Sequence, residues 1–241
     1  MSVQPVNVEW ALPTIAERGA EPTLRRLYRL KRRPQAPPLP ETCELCSAPL
    51  REAHEHVLEL TERRILCACD ACAILFDRPA SPLQRGGWGG TGRYRRVPRD
   101  VTWLRDFRMS DLQWKALQIP IGLAFIFPGT PAGRVVAMYP SPAGATESLL
   151  QMESWNDLLT DNPALRELTP DVEALLINRL GCTPGAGGHK REPEYFRAPI
   201  DQCYRLAGLI RTHWRGFSGG TRVWDELDNF FDSMRKSARC S

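Results

Sequence analysis

Between Cys43 and Cys72 the chain holds five of its eight cysteines and two of its four histidines. Cys43 and Cys46 form one Cys-x-x-Cys pair, and Cys69 and Cys72 form another. Two intervening residues let both sulfurs turn toward one ion while nearby backbone N–H groups stabilise the thiolates. Two such pairs supply four thiolates, the donor set of a closed tetrahedral zinc site. Cys67 adds a fifth sulfur with three roles open to it. It can pack as a small apolar residue, replace Cys69 as a ligand, or stand in reserve beside an iron–sulfur cluster. A rubredoxin-like iron site also needs only two Cys-x-x-Cys pairs, but it usually has glycine directly after each second cysteine. Here Ser47 and Ala73 hold those positions, which favours zinc and leaves iron as the alternative. His54 and His56 are two apart, so a strand would turn both to one face. There they either chelate a second metal or lie inert at the surface. His189, His213, Cys182, Cys203 and Cys240 have no clustered ligands beside them in sequence.

The segment that must position these residues alternates through "HVLEL" from His56 to Leu60, turns at "TERR" and returns through "ILC". A hairpin with one Cys-x-x-Cys pair at each end is the layout of a zinc ribbon, and it assigns residues 43–80 to a metal-binding module. Residues 1–42 form a flexible basic and proline-rich arm. Leu24, Leu27 and Leu30 lie at helical spacing among arginines, and Pro34–Pro40 cannot continue a helix. The arm is a solvated segment or a short docking helix for an acidic partner or membrane surface. Residues 81–100 contain five glycines and five arginines and form a linker. Arginines interleaved with Trp88 and Tyr94 are the alternative signal there, for stacking on nucleic-acid bases.

Residues 101–241 have the pattern of an α+β domain. Ser110 is placed to cap a helix whose apolar face is Leu112, Trp114 and Leu117. "IGLAFIF" and "RVVAMY" form a hairpin across "PGTPAG", "SPAGATESLL" leaves it, and "ESWNDLLTDNP" is a short helix ending before Pro163. "DVEALLINRL" is a helix or a buried strand, since its periodicity decides neither. Gly181–Lys190 is glycine-rich but lacks the Lys-Ser/Thr of a phosphate-binding loop, which makes it a surface insertion. "YFRAPI" is a strand. Asp201 then caps a helix burying Tyr204, Leu206, Leu209 and Ile210, and a last helix carries Trp224, Leu227, Phe230 and Phe231. The expected fold is therefore α+β: an N-terminal zinc-ribbon-like hairpin, then a small mixed α+β domain ending in a helical hairpin.

Composition narrows the function classes. The chain has 241 residues, 42% hydrophobic and 25% charged, with a net charge of +4. That charge is too small for a dedicated nucleic-acid binder. The longest apolar run, Ile119–Phe127, is broken by Pro120 and Gly122, so no membrane span is expected. Met1–Leu12 lacks the basic-then-apolar order of a signal peptide, which predicts a cytoplasmic protein whose clustered thiols stay reduced. Ser141 and Ser148 lie in no Gly-x-Ser-x-Gly elbow, and four cysteines close a zinc shell. Both points argue against an enzyme.

The strings "CELC", "HEHV", "ILCACDACAILFDRP", "GRYRRVP", "IPIGLAFIF", "RVVAMYPSPAGATES", "DVEALLINRL", "PIDQCYRLAGLIRTHWRGFSGG" and "VWDELDNFF" follow one another from Cys43 to Phe231. In that order they resemble an uncharacterised actinobacterial family, domain of unknown function 5947. Members of that family are commonly encoded among genes for uptake nickel–iron hydrogenases and their accessory proteins. The resemblance implies a non-catalytic accessory role in hydrogenase assembly, with a hydrogenase subunit or maturation factor as partner, and it carries over no catalytic residue. Two other roles stay open: a redox or metal-delivery module with an iron or labile centre using Cys67 and the histidines, and a nucleic-acid-binding zinc-ribbon regulator.

Overall fold

Alternation along Glu55–Glu59 (β1) and Arg64–Ala68 (β2) gives one hairpin two faces with different neighbours. The strands pair antiparallel, with His56 opposite Cys67 and Leu58 opposite Ile65. Leu58, Leu60 and Ile65 turn to the main hydrophobic core, whereas Val57 and Ala68 turn to a small cluster around Cys43 and Ala73. Tyr94–Arg96 (β3), in the stretch expected to be a linker, adds to the free edge of β1. The computed structural model describes residues 41–77, 92–148, 152–182, 191–216 and 219–240. Residues 1–40 of the expected arm, Arg85, Trp88 and residues 183–190 of the glycine-rich loop, with His189, lie outside the described residues.

A second sheet of seven strands carries the rest of the chain. Its strands are Thr102–Trp103 (β4), Leu123–Gly129 (β5), Arg134–Ser141 (β6), Gly144–Ser148 (β7), Glu173–Asn178 (β8), Glu194–Pro199 (β9) and Arg239–Cys240 (β10). Their order is β10-β4-β9-β8-β5-β6-β7. All neighbours are antiparallel except β10 and β4. The described helices are Asp70–Ile74 (α1), Asp111–Ala116 (α2), Met152–Asp161 (α3), Ile200–His213 (α4) and Thr221–Ser237 (α5), with a 3-10 turn at Pro163–Glu167. One face of the large sheet packs Phe125, Leu176 and Phe196 against α4, α5, Leu58 of β1 and Leu60 just beyond it. The other packs Ile126 and Leu175 against Leu117, Trp155, Leu158 and Leu165.

Burial on both faces explains why "DVEALLINRL" has no decisive period. Every residue of β8 is buried, so its centre, Ala174–Ile177, is an unbroken apolar run in which polar alternation is absent. The expected hairpin of β5 and β6 is present, but "GATES" does not leave it. It returns as β7, with Ser148 opposite Ala137. Ser110 caps α2 in a full capping box with Gln113. Leu112, expected on the buried face of that helix, is 78% exposed, while Leu117 is fully buried. On α5, Trp224 is 42% exposed, and Val223 and Met234 join Leu227, Phe230 and Phe231 in the core. Asp201 is not a cap: α4 begins at Ile200 with Pro199 as its N-cap. An acidic residue in the first turn still favours the positive end of the helix dipole.

Leu112 and Leu117 separate period from packing. Leu117→Ala is expected to cost about 2–5 kcal/mol of stability, the range for a truncated core leucine, whereas Leu112→Ala stays within about 0.5 kcal/mol. Urea unfolding of the two variants checks both values, and equal losses would contradict this packing.

Candidate metal centre

The first Cys-x-x-Cys pair sits in a tight turn closed by backbone hydrogen bonds. The Cys43 N–H donates to the Ala48 carbonyl and the Ser47 N–H to the Cys43 carbonyl, each at 2.7 Å. Ser47 has φ +62°, the left-handed conformation that glycine enters without steric cost. Serine in place of glycine therefore does not mark a different turn here, and it does not separate zinc from iron at this position.

The second pair is built differently. Cys69 is the N-cap of α1, so Cys69 and Cys72 lie in the first turn of a short helix, and the Ala73 N–H donates to the Cys69 carbonyl at 2.9 Å. The hairpin thus ends in one turn and one helix, where the ribbon layout predicts two matching knuckles. Reciprocal contacts hold the two ends together. The Glu44 N–H donates to the Cys67 carbonyl at 2.9 Å, the Cys67 N–H donates to Glu44 Oε2 at 2.6 Å, and Arg51 pairs with Asp70.

These elements bring the Cys43, Cys46, Cys69 and Cys72 sulfurs within 4.8 Å of one another, with Cys46 Sγ 3.6 Å from Cys69 Sγ. Four sulfurs around a zinc ion, each bonded at about 2.3 Å, stand about 3.8 Å apart, so the cluster can hold an ion after a small contraction. The thiol electrostatics fit the same chemistry. Burial works to raise the Cys43 pKa, but backbone N–H groups of Cys69, Leu45 and Cys46 outweigh it and lower the value to about 6. Burial, with the adjoining thiols of Cys46, Cys69 and Cys43, pushes Cys72 strongly upward. At Cys46 the Ala48 N–H and the Cys72 thiol lower the pKa, yet the Cys43 and Cys69 thiols raise it further, for a net upward shift. One thiolate forms readily and its neighbours resist, because like charges this close need a cation between them.

Cys67, the expected reserve ligand, is not among these four. Strand alternation sends its sulfur to the other face of the hairpin, near His54 and His56. Burial, aided by Glu44 and Glu41, holds the Cys67 thiol above its ordinary range. Cys203 is fully buried in the main core, and burial pushes its thiol up as well. His213 lies in the last turn of α4.

Two features escaped the sequence. Asp201 Oδ2 stands 2.7 Å from His56 Nδ1 across 145 positions of chain, a pairing with no local signal. The arginines of "GRYRRVPR" are held by carboxylates: Arg93 by Glu59 at 2.9 Å, Arg95 by Asp171 at 3.3 Å, and Arg96 and Arg99 by Glu55, each at 3.0 Å. Tyr94 packs on Phe76, ring centroids 5.4 Å apart. Their guanidinium groups serve the fold, which weakens the case for stacking on bases.

No helix among the described residues is long and apolar enough to cross a membrane. A family of unknown function (DUF5947) matches residues 42–238, and the chain belongs to it. Comparisons with curated proteins and with solved structures found no match.

Two outcomes are expected from loading this cluster. Zinc binding at pH 7.5 in weakly buffered solution should release protons from Cys46 and Cys72, because both thiols are raised; lowering the pH therefore weakens binding as protons compete for sulfur. A pH-indicator dye read during the titration checks this. Chelation should strip hydrogen-exchange protection from residues 43–50 and 69–76 while β1 and β2 stay protected, since Leu58, Leu60 and Ile65 are anchored in the main core. Loss of protection throughout the hairpin would contradict that anchoring.

Proposed function

We propose that this is a non-catalytic accessory protein in which Cys43, Cys46, Cys69 and Cys72 hold one zinc ion as a structural, zinc-ribbon-like centre. The observation that carries this reading is the convergence of four sulfurs from two Cys-x-x-Cys pairs on one point. Four protein ligands fill a tetrahedral shell and leave no position for a substrate. The cluster beneath is small, with Cys43, Val57, Ala68 and Ala73 as its buried members. An ion there supplies cohesion that so few apolar contacts cannot, and structural zinc sites contribute on the order of 10 kcal/mol in small modules.

The fixed turn and helix would present a firm surface to a protein partner. Ile74 and Leu75, at the end of α1, are 65% and 62% exposed, and a metal at Cys69 and Cys72 would fix their position. The partner class, a subunit or maturation factor of a nickel–iron hydrogenase, comes from the family resemblance. The cytoplasm, where thiols stay reduced, is the compartment in which four free cysteines keep their ligand capacity.

Purification without added metal or a metal-binding tag, followed by mass-spectrometric metal analysis and a visible spectrum, tests the centre. The expected result is a tightly held zinc equivalent, no colour, and loss of that equivalent in Cys46→Ser. Iron with sulfur charge-transfer bands would overturn the zinc assignment. Binding to purified hydrogenase subunits and maturation factors tests the role: the zinc-loaded chain should bind one of them, and Leu75→Asp should weaken that complex about tenfold or more, as loss of a central apolar anchor does. Equal binding by the metal-free chain would remove the zinc from the function.

A further inference from the structure

Two imidazoles and a thiol meet on the face of the hairpin that turns away from the four-cysteine cluster. His54 stands just before β1, His56 lies in it, and Cys67 is directly opposite His56 on β2. One nitrogen from each ring and Cys67 Sγ lie within 4.8 Å of one another, and the rings meet edge to face with centroids 5.1 Å apart.

The hydrogen bonds of the two rings decide which nitrogens are available. His54 Nδ1 is 3.1 Å from the Arg51 carbonyl oxygen, and His56 Nδ1 is 2.7 Å from Asp201 Oδ2. A carbonyl and a carboxylate only accept, so each ring carries its proton on Nδ1, and in the neutral ring Nε2 has a lone pair. His54 Nε2 is buried with no hydrogen-bond partner, a state that folded proteins avoid unless another group uses the lone pair. Imidazoles whose Nδ1–H is held by a backbone carbonyl or carboxylate are the usual form of metal-ligating histidine.

We propose that His54 Nε2, His56 Nε2 and Cys67 Sγ form a second site that binds a first-row divalent transition-metal ion exchangeably. Two imidazoles and one thiolate suit borderline ions such as zinc(II) and cobalt(II) better than magnesium or calcium. Bonds of about 2.0–2.3 Å place such ligands about 3.3–3.8 Å apart, so the three side chains must draw together on the ion, and the Cys67 proton leaves to solvent. Three protein ligands leave the fourth position open, unlike the closed four-sulfur shell. Both imidazoles also line a cavity between the hairpin and the start of α4, together with Pro98, Arg99, Pro199 and Gln202. Arg99 is neutralised there by Glu55 at 3.0 Å. Asp201 is a positioning residue: it orients His56 and ties an ion on the hairpin to α4.

Cobalt(II) titration of the metal-free full-length chain tests the site. The wild type should take two equivalents, and His54→Ala or Cys67→Ser should take one. Asp201→Ala should weaken the second equivalent about 10–100-fold, the range for removing a partner behind a metal ligand. Asp201→Asn, which still accepts from Nδ1–H, should recover most of that loss. Because a variant can fail by misfolding, the wild type is also alkylated with iodoacetamide after one and after two equivalents, and Cys67 is followed by peptide mass spectrometry. Protection of Cys67 that appears with the second equivalent supports the site. A single equivalent in the wild type, two in the variants, or unchanged Cys67 alkylation would overturn it. Each of those results leaves the four-cysteine centre standing.

Discussion

Side chains on a paired strand can point only two ways, and the β1–β2 hairpin uses both. One face supplies Val57 and Ala68 to the cluster beneath the four sulfurs. The other supplies Leu58, Leu60 and Ile65 to the core under the large sheet, with His56 and Cys67 at its end. A register slip of one residue would exchange the two sets at once. The position of the sulfur cluster therefore depends on the same alternation that docks the hairpin, and neither can shift alone.

The third strand joins this hairpin through charge as much as through backbone pairing. Glu55 and Glu59 are buried, and an unpaired carboxylate at such a position is strongly disfavoured. Arg93, Arg96 and Arg99 arrive with β3 and its flanks to neutralise them. The Glu62 N–H, acting with Arg93 against the pull of burial, holds the Glu59 carboxyl below the usual carboxylate range. Asp171, from the large sheet's side, takes Arg95 at 3.3 Å and the Thr130 N–H at 2.7 Å. Each charge on β3 thus answers a specific buried partner, and the basic look of this stretch is a consequence of packing.

Much of this was legible in the sequence, and what was not has physical reasons. Paired Cys-x-x-Cys motifs carry their meaning in local spacing, so the four sulfurs could be named before any fold was known. The hairpin of "HVLEL" and "ILC", the hairpin of β5 and β6, and the Ser110 cap were equally local. The helix at Cys69 was hidden, because a five-residue element leaves no periodic trace. The nature of "DVEALLINRL" was hidden by burial on both faces, which erases alternation. Leu112 and Trp224 show the opposite limit: helical spacing says which residues share a face, but the neighbours decide how far burial extends. Asp201 and the arginine–carboxylate pairs join positions far apart in the chain, where spacing is silent.

The strand order of the large sheet bears on how the chain can fold as it is made. Among the described residues, Thr102 and Trp103 pair with Arg197 and Phe196 and then with Arg239 and Cys240. His56 likewise waits for Asp201. The cysteine hairpin closes through nearby residues, yet the core that its leucine-bearing face joins also includes Phe196, Ile200 and Leu206, which lie far along the chain. Contacts this distant must overcome a loop-closure entropy that local pairings escape, which slows folding and lengthens the exposure of apolar surface. The sulfur end of the hairpin is thus held by residues near it in the chain, whereas the seal over its leucine-bearing face draws on residues more than a hundred positions away.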